Sequence, residues 1–264
     1  MSWNSRLLIY KFKALATHLG ISVVLVAIAL WLMLYRWFPA PLFHTDGGGI
    51  GLKLIVLVDL VLGPLLTFVV FNPGKTRRAL AVDFITIAVL QLGAYFYGLH
   101  NIHAVRVQAV AYYEGAFHTV TPEFLAEQEI ASDGWDALGA RAPYLVDTRE
   151  PANADELAGA GSYELISGLE PYQLHFLYQP YAKVAKQHAS RGWSLSALDQ
   201  QQPQVASAAR QWLDGKGLSP EALRFFRVEG YFERAVLVID ADGRWLGGFA
   251  ADLPVYRPAP SPKT

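Results

Sequence analysis

The side chain with the clearest chemical potential is Asp59, a carboxylate near the middle of the otherwise apolar segment 50–71. That segment reaches the length of about 20 residues that a helix needs to cross the hydrocarbon core of a bilayer. A carboxylate at such a depth costs roughly 3 kcal/mol on insertion scales. We therefore expect Asp59 to have a hydrogen-bond partner or a functional role.

Asp59 has a predicted counterpart in another apolar segment. Segments 15–38 and 79–99 are also long enough to span a membrane, so three transmembrane helices are predicted at about 15–38, 50–71 and 79–99. Asp59 and Gln91 lie at similar distances from the outer ends of their segments. Because the helical rise per residue is constant, the two side chains should lie at about the same depth. They form a candidate pair across a helix contact.

Helical spacing groups further residues with this pair. Asp59, Gly63 and Thr67 share one face of the second segment, and Asp83 and Gln91 share one face of the third. Small residues let helix backbones approach, and polar residues hydrogen-bond across the contact. Pro64 predicts a kink just below Asp59. The predicted helix-recognition or bundle-contact residues are Asp59, Gly63, Pro64, Thr67, Asp83 and Gln91.

Two interpretations of this polar surface stay open from the residues alone. It could hold the three helices together, or it could receive a helix of another protein. A small transporter is a third alternative, although three helices enclose little cavity for a pathway. An intramembrane enzyme that uses Asp59 is a fourth, but no second acid lies at that depth to form an aspartyl-protease pair.

Basic residues in the short flanks of the apolar segments predict the orientation, because they favour the cytoplasmic side. They are Arg6, Lys11 and Lys13 before the first segment, and Lys75, Arg77 and Arg78 between the second and third. This places residues 1–14 in the cytoplasm as an N-terminal tail. The chain after residue 99 then lies on the other side, which is the periplasm for a bacterial inner membrane.

Composition supports a membrane protein with an attached domain. The mean hydropathy is +0.22, and 53% of residues are hydrophobic while 17% are charged. The net charge of -1 offers no global field for nucleic acid. With no cysteine, the chain has no disulfides, thiolate metal sites or cysteine nucleophiles. The predicted fold is a three-helix transmembrane bundle followed by one α+β extracytoplasmic domain.

That domain is predicted over residues 104–252. Alternating residues at 105–109 favour a half-buried strand, with residues 117–120 pairing back after a turn at Glu114 and Gly115. Residues 234–240 and 244–249 are typical of two strands joined by a glycine-bearing turn. Helices are expected after Thr121 and near 155–158, 180–189 and 203–213. Residues 253–264 contain four prolines and predict a flexible tail.

A search of the domain for chemistry yields little. It contains no His-Glu-x-x-His motif, phosphate-binding glycine loop or Gly-x-Ser-x-Gly elbow. Residues 240–243 begin like a calcium loop but lack its later ligands, which favours turn chemistry. No enzyme activity, cofactor or metal is predicted. The domain is rich in tyrosine and tryptophan, and any exposed aromatics would form a protein-binding face.

Three stretches of the membrane region resemble the TfpX/TfpZ family of type IV pilin accessory proteins. They are residues 58–67 (VDLVLGPLLT), 71–75 (FNPGK) and 83–91 (DFITIAVLQ), with Gly98 closing the third helix. The first-loop segment 43–48 (FHTDGG), the short basic N-terminus and the length agree with that family. The resemblance implies an inner-membrane, chaperone-like protein that acts beside a type IV major pilin and modulates pilin assembly and surface piliation. It supplies no catalytic residues.

The resemblance leads to a physical hypothesis about partners. A pilin that waits in the lipid bilayer offers a transmembrane helix and a periplasmic head. We expect the surface around Asp59 and Gln91 to contact the helix, and the aromatic domain to contact the head. A membrane-anchored periplasmic sensor is the alternative from another class of protein.

Overall fold

The computed structural model describes residues 3–72, 74–126 and 132–255. Contacts divide the chain into two units. The helical unit runs up to Tyr35 and includes Gly48–Ala104, whereas the second unit, here called the domain, contains Arg36–Gly47 and the chain from Val105 onward. The loop between the first two long helices therefore belongs to the domain, which the sequence did not predict.

The described residues form ten α-helices and seven strands. The helices are α1 Trp3–Leu32, α2 Leu42–Thr45, α3 Gly48–Val56, α4 Gly63–Val70, α5 Arg77–Ala104, α6 Pro122–Ala126, α7 Ala154–Ser167, α8 Ala185–His188, α9 Leu195–Gln201 and α10 Pro203–Lys216. The strands are β1 Ala109–Tyr113, β2 Ala116–Val120, β3 Tyr144–Thr148, β4 Tyr178–Pro180, β5 Arg224–Glu229, β6 Arg234–Ile239 and β7 Trp245–Phe249.

Three helical stretches of the described chain are long and apolar enough to cross a membrane. They are Leu8–Trp37, Gly48–Val70 and Arg77–Ala104. The third extends well beyond the predicted segment 79–99. Large apolar side chains cover the outside of this unit, as at Val24, Leu65 and Leu90. Such a surface suits lipid contact better than water.

The second of these stretches changes its helical geometry in the middle. A π-helical turn, Leu57–Leu62, separates α3 from α4 and contains Asp59. Pro64 has no N–H, and in a regular α-helix its ring would collide with the carbonyl of Leu60. The wider turn, which lies directly before Gly63 and Pro64, accommodates the proline where the sequence predicted a kink.

The helical unit has a buried apolar cluster towards its first-loop end, where residues 36–47 connect to it in the chain. Val26, Ala29, Ile55 and Tyr95 form the buried cluster there. The Tyr95 hydroxyl donates a hydrogen bond of 2.8 Å to the Leu25 carbonyl and so joins α5 to α1.

The domain is built on one mixed sheet of the seven described strands, in the order β4-β3-β1-β2-β5-β6-β7. Pairs β1–β3 and β2–β5 are parallel, and the others are antiparallel. Helices α9 and α10 cover part of it through a buried cluster that includes Leu198, Ala206, Leu213, Phe225 and Val236. The predicted α+β class is confirmed.

The strand predicted at 105–109 is wrong in its bounds, although the predicted alternation in burial is present at residues 106–109. Helix α5 continues to Ala104, and β1 begins at Ala109. Residues 109–112 are buried on both faces of the sheet. Ala109 and Ala111 belong to one buried cluster, whereas Tyr112, on the opposite face, packs against Phe117 and Tyr181. A central strand covered on both sides does not show the alternation of a half-buried one.

The predicted turns and most predicted helices are present. Strands β1 and β2 pair around Glu114 and Gly115, which both have positive φ. In the β6–β7 turn, Asp240 Oδ1 accepts from the N–H groups of Asp242 and Arg244 at 2.9 Å each, which is the predicted turn chemistry. Helices α6, α7 and α10 also match. The helix expected near 180–189 is wrong, since that stretch is broken into short turns around α8.

The flexible tail predicted from residue 253 is wrong at its start. Leu253 is fully buried in the cluster beneath β5 and β6. The Trp193 indole donates a hydrogen bond of 3.2 Å to the Pro254 carbonyl. The remainder of that prediction, from residue 256, lies outside the described residues.

Candidate functional site

A cavity of about 380 Å³ opens in the helical unit between α1 and α5. We call it the α1/α5 groove. It is lined on α1 by Ala14, Thr17, His18, Ile21, Ser22 and Leu25, on α5 by Phe84, Ile87, Ala88, Gln91 and Leu92, and by Asp59 from the second helix. The lining residues recur every three or four positions, so each wall is one helical face.

The groove is closed at one end and open along its side. Both α1 and α5 pack against the helix that carries Asp59. The Tyr95–Leu25 hydrogen bond joins α1 to α5 at the first-loop end. Ile21 and Leu92 remain exposed, at 60% and 42%. The groove is therefore accessible from the surface of the bundle rather than sealed inside it.

Asp59 is 2% exposed, and its Oδ2 has no hydrogen-bond partner among the described residues. A buried polar atom left in this state costs roughly 1–3 kcal/mol. Most buried polar groups in folded proteins avoid that cost. The π-helical turn places the Asp59 carboxyl at the groove, although the described part of the bundle provides no hydrogen-bond donor for Oδ2.

Gln91 lines the same groove but contacts a different residue of the second helix. A Cβ built on Gly63 would lie 1.7 Å from Gln91 Nε2, so the amide occupies the space that the glycine leaves. No hydrogen bond joins Gln91 to Asp59 in the described chain. The structure brings the two predicted partners into one cavity without pairing them.

The other predicted contact residues divide between the bundle interior and its second-loop end, where residues 71–76 connect α4 to α5. Thr67 is fully buried, and its hydroxyl lies 2.5 Å from His18 Nδ1, which joins α4 to α1. Pro64 is buried in the same helix. Asp83 instead forms a 2.6 Å ion pair with Lys75, and both side chains are partly exposed. Asp83 therefore lies away from the groove, beside the predicted topology residues.

Arg77 and Arg78 begin α5 and are exposed, as is Lys75 in the preceding turn. Together they put three cations at the second-loop end of the bundle. Within the part of the chain that the structure describes, no group of three His, Asp or Glu side chains could hold a metal ion.

Sequence reasoning missed a second buried acid, Asp46, in the loop that joins the first two long helices. Its Oδ1 accepts from the Thr119 hydroxyl at 2.6 Å and from the Tyr231 N–H at 3.1 Å. Its Oδ2 accepts from the Thr45 hydroxyl at 2.6 Å. Burial raises the pKa of Asp46, and these hydrogen bonds oppose that rise only in part. Segment 43–48, which contributes to the family resemblance, contains Asp46, but Thr119 and Tyr231 are distant in sequence, so no local pattern indicates its hydrogen-bond partners.

Comparison with known proteins gives three curated relatives, all from Dichelobacter nodosus. Each is named a fimbrial assembly protein, of serogroup I, of serogroups C1 and C2, or of serogroup E1. Identity is 32% over 109 residues in every case, which is 41% of this chain. The matched region covers 83% of the C1 and C2 protein. This chain belongs to the fimbrial assembly protein family.

The match spans 42% of the length of the serogroup I and serogroup E1 proteins. No family model matches the chain. No solved structure matches it either.

The domain of this fimbrial assembly family member also carries an exposed aromatic pair. Tyr231 and Phe232 lie in the β5–β6 turn, with ring centroids 4.8 Å apart, edge to face, and exposures of 69% and 58%. They border a cavity of about 340 Å³ that Asp46, Glu123 and Phe124 also line. Four of the other tyrosines and tryptophans of the domain, Tyr112, Tyr178, Tyr181 and Trp193, are buried, and others such as Tyr113 and Trp245 are half-buried.

Proposed function

We propose that this protein is an inner-membrane accessory protein of the TfpX/TfpZ type, which acts as a chaperone for a type IV major pilin and modulates surface piliation. The observation that carries the proposal is the 32% identity to the Dichelobacter nodosus fimbrial assembly proteins. The three apolar helices and the separate domain supply the parts that such a chaperone needs.

The groove supports the choice of a membrane-embedded partner. It has two apolar helical walls, it is open at the side, and its floor carries a carboxyl oxygen without a partner. A pilin in the bilayer offers a transmembrane helix for such a groove. The exposed Tyr231–Phe232 pair offers aromatic contact area for the pilin head, since aromatic side chains dominate protein–protein binding energies.

The proposed topology follows the basic residues. Residues 1–14 lie in the cytoplasm, the helices cross the inner membrane, and residues 104–252 lie in the periplasm. Since the chain has no cysteine, single-cysteine variants test this directly. An impermeant maleimide should label Asp242→Cys in cells with a permeabilised outer membrane, and should label Thr76→Cys only after the inner membrane is opened. The reverse pattern contradicts the topology.

Deletion of the gene tests the function itself, with surface pili and total pilin measured together. We expect surface pili to fall at least fivefold while pilin remains in the inner membrane, and a plasmid copy of the gene to restore them. Normal surface pili with normal pilin would contradict a role in assembly. Loss of pilin together with pili would indicate that the protein protects its client rather than assembling it.

A further inference from the structure

The unpartnered oxygen of Asp59 identifies what the α1/α5 groove can bind. Asp59 is 2% exposed and lines the groove, and its Oδ2 is buried without a hydrogen bond in the described chain. Of the polar side chains that line the groove, His18 is bonded to Thr67, and the Gln91 amide lies over Gly63. None of them hydrogen-bonds to Asp59 Oδ2 in the described chain. A buried acceptor in this state calls for a donor from outside the chain.

The shape of the groove indicates that a helix supplies this donor. Its lining runs from Ala14 to Leu25 on α1 and from Phe84 to Leu92 on α5. At 1.5 Å per residue these walls are about 16 and 12 Å long, or two to three helical turns. Small residues on both walls, Ala14 and Ala88 among them, allow a third helix to approach closely.

We propose that the groove binds a transmembrane helix that carries a hydrogen-bond donor at the depth of Asp59, and that Asp59 Oδ2 accepts this bond. A hydroxyl, amide or ammonium group on the bound helix supplies the donor. An entirely apolar helix would leave the oxygen unsatisfied and would bind less well. The proposal rests on the proposed function, because the bound helix there belongs to the major pilin.

Site-directed cross-linking tests the groove. A benzophenone reagent coupled to one introduced cysteine reports a single position, since the chain has no cysteine of its own. Ala88→Cys lies in the groove, and Leu90→Cys, exposed on the same helix outside the groove, is the matched control. With an antibody against the host's major pilin, we expect the adduct from Ala88→Cys to exceed that from Leu90→Cys at least fivefold.

Two substitutions then test the carboxyl. Asp59→Leu removes the acceptor at similar size, and we expect at least a tenfold fall in the Ala88→Cys adduct. Asp59→Asn keeps one acceptor oxygen and should lose no more than about threefold. The melting temperature of Asp59→Leu in detergent should be unchanged or higher, because Oδ2 has no internal partner to lose.

Each other outcome has a distinct meaning. If Ala88→Cys and Leu90→Cys give equal pilin adducts, or if Asp59→Leu leaves the adduct unchanged, the inference about the groove is overturned. The proposed pilin partner is not contradicted by either result. A lower melting temperature of Asp59→Leu also overturns it, since Asp59 would then hold the bundle together. The absence of a pilin adduct from both cysteines contradicts the partner named in the proposed function, and the inference fails with it.

Discussion

Asp46 in the domain and Asp59 in the helical unit are buried to nearly the same degree, at 5% and 2% exposed. Asp46 receives three hydrogen bonds, from Thr45, Thr119 and Tyr231. Asp59 has an oxygen without any partner in the described chain. The two acids therefore differ in their hydrogen bonds and not in their burial, and the proposed binding role of Asp59 rests on that difference.

The difference follows from what each acid connects. Asp46 joins the first-loop segment to β2 and to the β5–β6 turn, and the Thr45 carbonyl adds a 2.9 Å bond from the Phe232 N–H. Its bonds therefore fix the loop to the sheet. Asp59 lies between two helices that do not offer it a donor. Asp59 lines the open groove, and its Oδ2 is buried there without a bond in the described chain.

The largest expected effect is at Asp46. Asp46→Ala leaves three donors without their acceptor, one of them a backbone N–H that cannot rotate towards another. We expect the free energy of unfolding of the domain to fall by about 3 kcal/mol. Thermal unfolding of the full chain in detergent, followed by tryptophan fluorescence, measures the loss. Asp242→Ala, in an exposed turn of the same domain, is the control and should change little.

A loss below about 1 kcal/mol for Asp46→Ala would break the comparison. The two buried acids would then differ in their surroundings without differing in their energetic role.

The next largest loss of stability is expected in the helical unit, where Gly63 contacts Gln91. Gly63→Ala places a methyl group where the Gln91 amide lies, so the amide, which is the end of a flexible and half-buried side chain, must move aside. We expect a cost of about 1 kcal/mol, at the low end of the range for overpacking. Gln91→Ala removes the obstacle, so the double variant should be more stable than Gly63→Ala alone. The melting temperatures of the four proteins in detergent complete the cycle. Strictly additive losses would show that the two residues do not interact.

Some of the residues in this comparison could be predicted from the sequence, and others could not. Asp59, Gly63 and Gln91 could be predicted because an acid, a glycine and an amide stand out in apolar helices, and helical spacing places them on facing surfaces. The predicted pairing of Asp59 with Gln91 is absent, because side-chain rotamers, and not depth alone, decide which neighbour an amide contacts. The groove itself depends on how far α1 and α5 separate, which no local pattern encodes.

The domain shows the same division between local and long-range information. The turns at Gly115 and Gly243 and the openings of α6 and α10 were predicted, because proline and glycine set the backbone locally. The strand at 105–109 was misplaced because the alternation precedes β1, and the central strand itself lacks it. The bonds of Asp46 join positions far apart in the chain, so they become visible only in the folded structure.

A pH series sharpens the comparison at Asp46. Burial raises its pKa above 3.8, so its contribution to stability is complete below that pH and is lost as the pH rises through the folded-state pKa. Asp46→Asn does not titrate there. The stability of the natural protein relative to this variant should therefore fall as the pH rises above about 4, by no more than about 1.4 kcal/mol per pH unit for one proton.

Glu156 provides a control for this pH series, because its contribution to stability should change with pH in the opposite direction. The Arg149 guanidinium lowers its pKa from 4.5 to about 2. Its contribution is present above pH 4.5 and fades as the pH falls towards 2. Denaturant unfolding of the natural protein, Asp46→Asn and Glu156→Gln across this range measures both trends. If the natural protein instead becomes more stable relative to Asp46→Asn as the pH rises, the raised pKa of Asp46 is contradicted.

The smallest expected losses of stability come from removing a hydrogen bond between a tyrosine hydroxyl and a backbone carbonyl. Each unit contains such a bond. Tyr178 OH donates to the Tyr172 carbonyl at 2.6 Å in the domain, and Tyr95 OH donates to the Leu25 carbonyl at 2.8 Å in the helical unit. Both tyrosines are buried. Tyr178→Phe should cost about 1 kcal/mol. Tyr95→Phe should cost about 0.6 kcal/mol, because separated helices in a membrane still find other polar partners.

Unfolding in detergent measures both losses, and the ratio between them tests the environment of the helices. A loss at Tyr95 equal to or larger than that at Tyr178 would argue that the helical unit unfolds into water rather than into a membrane-like phase. The bond at Tyr95 also closes the first-loop end of the groove. Tyr95→Phe should therefore weaken pilin cross-linking from Ala88→Cys by less than twofold, since the groove keeps Asp59 and both of its walls.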